Sequence, residues 1–116
     1  MSLAIDSERA RNLMAVMQTD SEHIYVEFHE RARTIFYNLF DGFEFSARSL
    51  NRENEEFKFR ELRNTYINSL KQQLENTALS LLQKHQHYKQ SNELDQSLQQ
   101  FIKQYLHLFV QKITTI

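Results

Sequence analysis

Apolar residues recur along the chain at steps of three and four, which is the spacing of one face of an α-helix. The first such stretch begins at Asp6-Ser7, where side-chain oxygens favour a helix start. Its apolar positions are Ala10, Leu13, Met14 and Met17. The pattern predicts a short helix over about residues 7–18.

The second stretch holds the chain's single glycine inside its densest aromatic run, FYNLFDGFEF at residues 36–45. The apolar stripe of this stretch includes Ile24, Phe28, Ala32 and Phe36, and its phase continues beyond Gly42, through Phe40, Phe43, Ala47 and Leu50. The pattern therefore predicts one helix over about residues 21–49. Because glycine costs about 1 kcal/mol relative to alanine inside a helix, we expect a neighbouring backbone or bulky ring to approach Gly42 closely.

Two polar segments divide the rest of the chain into two further helices. Asn51-Arg52-Glu53-Asn54 favours a turn because asparagine suits turns and caps, and Gln90-Ser91-Asn92 is the second connector. The helix predicted over about 54–88 has the stripe Phe59, Leu62, Tyr66, Leu70, Leu74, Ala78, Leu81, His85 and Tyr88. The helix predicted over about 92–114 has the stripe Leu94, Leu98, Phe101, Ile102, Tyr105, Leu108, Phe109 and Ile113.

These stretches predict an all-α fold: an antiparallel bundle of three long helices with the short N-terminal helix added to it. A chain of 116 residues with one glycine and no proline suits a single helical domain with short connections. The opening Met1-Ser2-Leu3 fits either a native start or a cloning remnant, so the domain can also be an excised part of a longer chain.

Composition removes several kinds of chemistry. The chain has no cysteine, which rules out a disulfide framework, a thiolate metal site and a cysteine nucleophile. One glycine cannot build a glycine-rich phosphate loop, and no Gly-x-Ser-x-Gly motif is present. We therefore predict a protein that is not an enzyme and that carries no cofactor.

Charge gives no sign of a nucleic-acid or membrane partner. The formal net charge is −1, and the basic residues near the Asn51–Asn54 turn alternate with acidic ones, so no uncompensated basic surface is expected. No apolar run approaches the roughly 18–20 residues that span a bilayer. The sequence predicts no nucleic-acid binding and no direct membrane insertion by this segment.

Histidine offers the one candidate metal site. His23, Glu27 and Glu30 are spaced so that they can share a helix face. A metal would need further ligands from another helix, and the Glu-x-x-His pairs of di-iron bundles do not occur in this chain. We predict no metal site and keep these three residues as the alternative.

The run NLFDGFEFSARSLNRENEEFKFRELRNTYINSLKQQL, within residues 36–74, resembles the core of a bacterial family of uncharacterised small helical domains. In that family an aromatic–acidic run, here Phe43-Glu44-Phe45, leads through a polar loop into a long helix. The family loop usually carries a glycine, where this chain has Asn51 and Asn54. The resemblance implies a cytoplasmic domain, often tethered to the inner membrane by a preceding transmembrane helix outside this chain.

The leading functional prediction is a helical module for protein–protein contact, most simply a homodimer. Nine phenylalanines and five tyrosines lie outside any catalytic motif. The aromatic residues off the main stripes are predicted to be exposed interface residues: Tyr25, Tyr37, Phe45 and Phe57. Two alternatives stay open, a metal- or small-ligand-binding bundle and an amphipathic protein of a lipid or granule surface.

Overall fold

The computed structural model describes residues 2–51, 53–86 and 91–115, with side chains described from residue 22 onward. Within these residues the chain forms three α-helices and no strand. Helix α1 spans Ser2–Arg48, α2 spans Glu56–Lys84 and α3 spans Ser91–Thr114. The all-helical prediction is confirmed.

Helix α1 differs from the prediction at its N-terminal side. A separate short helix over about 7–18 is not confirmed, because α1 runs through Thr19-Asp20-Ser21 without a break. These three residues are good helix starters, but none of them is a proline or glycine that would interrupt a helix already under way. A polar triplet with start chemistry was therefore an insufficient boundary signal.

The predicted passage of α1 through Gly42 is confirmed, since the helix ends six residues later at Arg48. A Cβ atom placed on Gly42 would lie 3.1 Å from the Tyr66 hydroxyl oxygen and 3.2 Å from Tyr66 Cε1. The expected close approach of a bulky ring is therefore present, and the ring comes from α2. A side chain at position 42 would meet Tyr66 at less than ordinary contact distance.

The connection from α1 to α2 is held by Asn51, as the polar run predicts. The Asn51 side-chain oxygen accepts the Glu53 N–H at 3.1 Å, and the Asn51 N–H donates to Glu55 Oε2 at 3.0 Å. The Glu55 N–H in turn donates to the Asn51 carbonyl at 2.7 Å. This reciprocal bonding stabilises the turn and starts α2.

Helix α2 is shorter than the predicted range of 54–88. It begins at Glu56 and ends at Lys84, and His85 and Gln86 already form a turn. The predicted stripe residue Tyr88 lies outside the described residues. The apolar spacing predicted the helix but not its end, because the predicted stripe continues to His85, which already lies in the turn.

Residue contacts give the direction of each helix relative to α1. Lys84, at the end of α2, contacts Glu27, whereas Tyr66 contacts Gly42, so α2 runs opposite to α1. In contrast, Phe101 contacts Tyr25 and Phe109 contacts Phe36, so α3 runs in the same direction as α1.

One apolar core joins the three helices. Its buried residues are Ile24, Phe28, Ala32, Phe36, Phe43, Ala47, Leu70, Leu74, Ala78, Leu81, Leu94, Leu98, Ile102, Phe109 and Ile113. Every one of them lies on an apolar stripe that the sequence predicts. Leu108 is the exception among the α3 stripe residues, because it is 53% exposed.

Candidate interaction surfaces

The structure separates the four predicted interface aromatics. Phe45 is 78% exposed, Phe57 is 70% exposed and Tyr37 is 55% exposed. Tyr25 is instead half-buried, with its ring edge against Phe101 at a centroid distance of 5.4 Å. Three of the four side chains are therefore available on the surface, and Tyr25 is largely occupied within the chain.

The exposed aromatics lie at two places. Phe45 is three residues before the end of α1, and Phe57 is the second residue of α2, so both belong to the end of the molecule where these helices are connected. Tyr37 lies further back on α1, beside α3. We call the first place the hairpin end, defined by Phe45 and Phe57.

Beside Tyr37, the crevice between α1 and α3 opens into a groove of about 480 Å³. Its lining combines aromatic and aliphatic surface with two cationic side chains: Arg33, Phe36, Tyr37, Tyr105, Leu108, Gln111, Lys112 and Thr115. The Lys112 ammonium lies 4.6 Å above the centre of the Phe40 ring, a cation–π distance. The prediction of Leu108 as a core residue is wrong because its side chain borders this groove.

In the same crevice, the imidazole of His29 contacts the phenol of Tyr105. His29 Nδ1 and the Tyr105 hydroxyl are joined by a 2.8 Å hydrogen bond, and the His29 ring lies 4.5 Å from that of Phe101. Burial lowers the pKa of His29, and the positive charge of Arg33 lowers it further. Burial raises the pKa of Tyr105. Both groups are therefore held in their neutral forms.

This polar pair was not predicted from sequence. His29 and Tyr105 are far apart along the chain, and neither residue belongs to a recognisable motif. The one available signal was that Tyr105 lies on an apolar stripe, where a buried tyrosine hydroxyl needs a hydrogen-bond partner. That signal does not say which residue supplies the partner.

The alternative metal residues are not assembled into a site. His23 and Glu30 are exposed, and Glu27 is engaged by Lys84, whose Nζ lies 3.1 Å from Glu27 Oε1. This hydrogen bond from Lys84 lowers the pKa of Glu27. Within the described part of the chain, no group of three or more His, Cys, Asp or Glu side chains is close enough to hold a metal ion.

Of the remaining histidines, His85 and His107 have different surroundings, and His87 lies outside the described residues. His85 is half-buried at the end of α2, and its backbone N–H donates to the Leu81 carbonyl at 3.0 Å. Its Nε2 atom is buried and has no hydrogen-bond partner among the described residues. His107 is exposed.

No helix in the described residues has an apolar stretch long enough to cross a bilayer. A scan of protein-family models gave no match to this chain, and searches of curated proteins and of solved structures gave none either. The resemblance of residues 36–74 to bacterial helical domains therefore stays an expectation.

Proposed function

We propose that this chain is a non-enzymatic helical module that works by protein–protein contact, first of all with a second copy of itself. The observation that carries the proposal is the exposure of large aromatic side chains. Tyr37, Phe45 and Phe57 each have more than half of their surface in contact with solvent. Aromatic residues are enriched at protein interfaces and supply much of the binding energy there.

Further exposed apolar residues support the same proposal. Val26 and Tyr37 are both 55% exposed on α1, and Leu108, which is 53% exposed, lies across the α1–α3 groove from Tyr37. Single exposed apolar residues are ordinary, whereas neighbouring ones suggest a contact surface. A partner that covered this region would remove apolar surface from water, which would stabilise the complex in proportion to the area covered.

We also propose that the three helices form an antiparallel bundle. In it, α1 and α3 run in the same direction and α2 runs in the opposite direction. The shared core and the contacts of Glu27 with Lys84 and of Phe36 with Phe109 support this arrangement. Such a bundle presents long, regular helix faces to a partner, which suits association through helix packing.

Sedimentation velocity over a wide concentration range tests the function directly. We expect the wild-type chain to dimerise by high micromolar concentration. A triple variant, Tyr37→Ser with Phe45→Ser and Phe57→Ser, should dissociate at concentrations where the wild type is dimeric. The matched control changes three exposed polar residues to serine instead: Asn38, Gln72 and Gln99.

The control variant should behave as the wild type does. A wild-type chain that stays monomeric at high micromolar concentration would contradict self-association. A triple aromatic variant that dimerises as tightly as the control would contradict the role of the exposed aromatics. Circular dichroism of each variant checks that the helices remain folded.

A further inference from the structure

The exposed side of α1 that borders the α1–α3 crevice carries a second regular pattern, which the core does not use. Val26, Glu30, Arg33 and Tyr37 follow one another at steps of four, three and four, the spacing of the a and d positions of a coiled coil. On an α-helix these positions fall within about 60° of each other. All four side chains are exposed. We call these four residues the outer seam.

The outer seam is complementary to itself when two copies meet in opposite directions. In an antiparallel pair of helices, a positions face d positions of the other helix. With the symmetry axis midway between residues 31 and 32, Glu30 faces Arg33 of the second copy, and Val26 faces its Tyr37. A two-fold axis makes each contact occur twice. The pairing therefore gives two ion pairs at the centre and an apolar contact on either side.

The two charges of the outer seam are available for such pairing. Neither Glu30 nor Arg33 forms an ion pair among the described residues, and Arg33 Nε makes only a long hydrogen bond, 3.4 Å, to the His29 carbonyl. Four other basic residues are already paired with acidic ones and so are less available for a second copy: Arg48, Lys58, Arg60 and Lys84. An exposed, unpaired acid and base at the centre of one helix face is the charge pattern that an antiparallel copy would satisfy.

Open space lies where the apolar residues of the second copy would arrive. Two grooves follow the α1–α3 crevice on either side of Arg33. The groove of about 410 Å³ is lined by Val26, His29, Arg33 and Tyr105. The groove of about 480 Å³ includes Tyr37 and Leu108 in its lining. The antiparallel pairing brings Tyr37 of the second copy to the Val26 groove and its Val26 to the Tyr37 groove, as knobs enter holes.

We propose that the outer seam is a symmetric dimerisation surface on which a second copy of this chain packs its own outer seam in the opposite direction. The proposal rests on the proposed function of self-association. It places that function on α1, around Glu30 and Arg33, rather than at the hairpin end.

Charge reversal tests the pairing. A dimer of the Arg33→Glu variant would have two Glu–Glu contacts at its centre, and a dimer of the Glu30→Arg variant would have two Arg–Arg contacts there. We expect either variant to weaken the dimer at least about tenfold in dissociation constant. In an equimolar mixture of the two variants, one copy has glutamate at both positions and the other has arginine at both. A heterodimer therefore restores both ion pairs. We expect a heterodimer about as tight as the wild-type dimer.

Sedimentation velocity measures each dissociation constant, and native mass spectrometry distinguishes the heterodimer when one variant carries a heavy-isotope label. Both positions are exposed, so circular dichroism should show the same helix content in all three proteins. The control is again the triple variant Asn38→Ser with Gln72→Ser and Gln99→Ser, which should dimerise as the wild type does. A further variant, Phe45→Ser with Phe57→Ser, changes the hairpin end alone, and we expect it to weaken the dimer less than either charge variant does.

The outcomes separate the two proposals. Unchanged dimerisation of the single charge variants, or a mixture that fails to recover, overturns the outer seam as the interface. A larger loss of dimer in the Phe45→Ser, Phe57→Ser variant than in the charge variants keeps self-association and moves it to the hairpin end, which also overturns the outer seam. A monomeric wild type overturns both proposals.

Discussion

Helix α1 contacts α2 and α3 through similar residues, but its contact with α2 is the closer of the two. Towards α2, Gly42 lets the Tyr66 ring come so near that even a Cβ atom would lie 3.1 Å from the hydroxyl oxygen. Towards α3, the helices are separated by rings and a hydrogen bond between His29 and Tyr105. Open grooves remain along that second contact.

The difference shows two ways to pack a helix pair. A glycine, which has no side chain, lets its helix pack closely against an aromatic ring of another helix. The cost is the poor helix propensity of glycine. Placing large aromatic side chains between the helices holds them apart and leaves space beside the rings. We infer that the first contact mainly stabilises the fold, while the second leaves a surface that another molecule can fill.

The largest expected effect comes from removing one buried ring on each side. Phe43 packs against Phe59 and Tyr66 on the α2 side, and Phe109 packs against Phe36 on the α3 side. Alanine at a buried phenylalanine costs about 3–5 kcal/mol, depending on how far the site can collapse. We expect Phe43→Ala near the top of this range and Phe109→Ala near the bottom, because groove residues can relax inward. Urea unfolding measures both costs, and equal costs would contradict the difference in closeness.

The next largest effect tests the contact between Gly42 and Tyr66. Gly42→Leu places a branched side chain where Tyr66 already lies, and such overpacking costs about 1–3 kcal/mol. The double variant with Tyr66→Ala should lose less than the sum of the two single variants, because the leucine can occupy the vacated space. Urea unfolding of all four proteins gives the coupling free energy. Purely additive losses would show that Tyr66 is not what limits position 42.

The close contact at Gly42 could be predicted because its signals are local. Apolar spacing on both sides of the glycine shows that the helix continues, and the cost of glycine in a helix implies a packing reason. The same spacing identified every buried residue of the core. These properties depend on one helix at a time, so a single sequence contains them.

The α1–α3 contact could not be predicted in the same way. Whether Tyr25 and Leu108 are covered depends on the angle at which α3 lies against α1, and residue spacing does not give that angle. The sequence therefore predicted that Tyr25 is exposed and that Leu108 is buried. In the structure Tyr25 is half-buried and Leu108 is 53% exposed. The pairing of His29 with Tyr105 is likewise a property of two helices together.

A smaller effect tests the polar pair on the α3 side. His29→Phe keeps a ring beside Phe101 but removes the hydrogen bond to Tyr105, which should cost about 0.5–1.5 kcal/mol near pH 7.5. The wild type should also lose stability as the pH falls below the ordinary histidine pKa of 6.5, since the unfolded chain then binds a proton that the folded chain resists.

Burial of the imidazole is the main cause of this pH dependence, because burial disfavours the charged form of His29. Arg33 on α1 opposes protonation of His29, and Tyr105 on α3 stays neutral because its pKa is raised. Urea unfolding at about pH 7.5 and about pH 5.5 should show a smaller pH dependence in His29→Phe than in the wild type. The exposed His23 and His107 are unchanged in both proteins, so an identical pH dependence would show that His29 titrates as it does in the unfolded chain.

The smallest effect belongs to the ion pair that joins the end of α2 to α1. Glu27→Gln removes the charge that Lys84 contacts at 3.1 Å, and exposed pairs of this kind contribute about 0.2–1 kcal/mol. Because the pKa of Glu27 is lowered, this contribution is present above the ordinary value of 4.5 and is lost as the pH falls below it. High salt should reduce it too, since exposed charges are screened. A loss in Glu27→Gln as large as that in Gly42→Leu would mean that this pair, rather than the Gly42–Tyr66 contact, fixes α2 against α1.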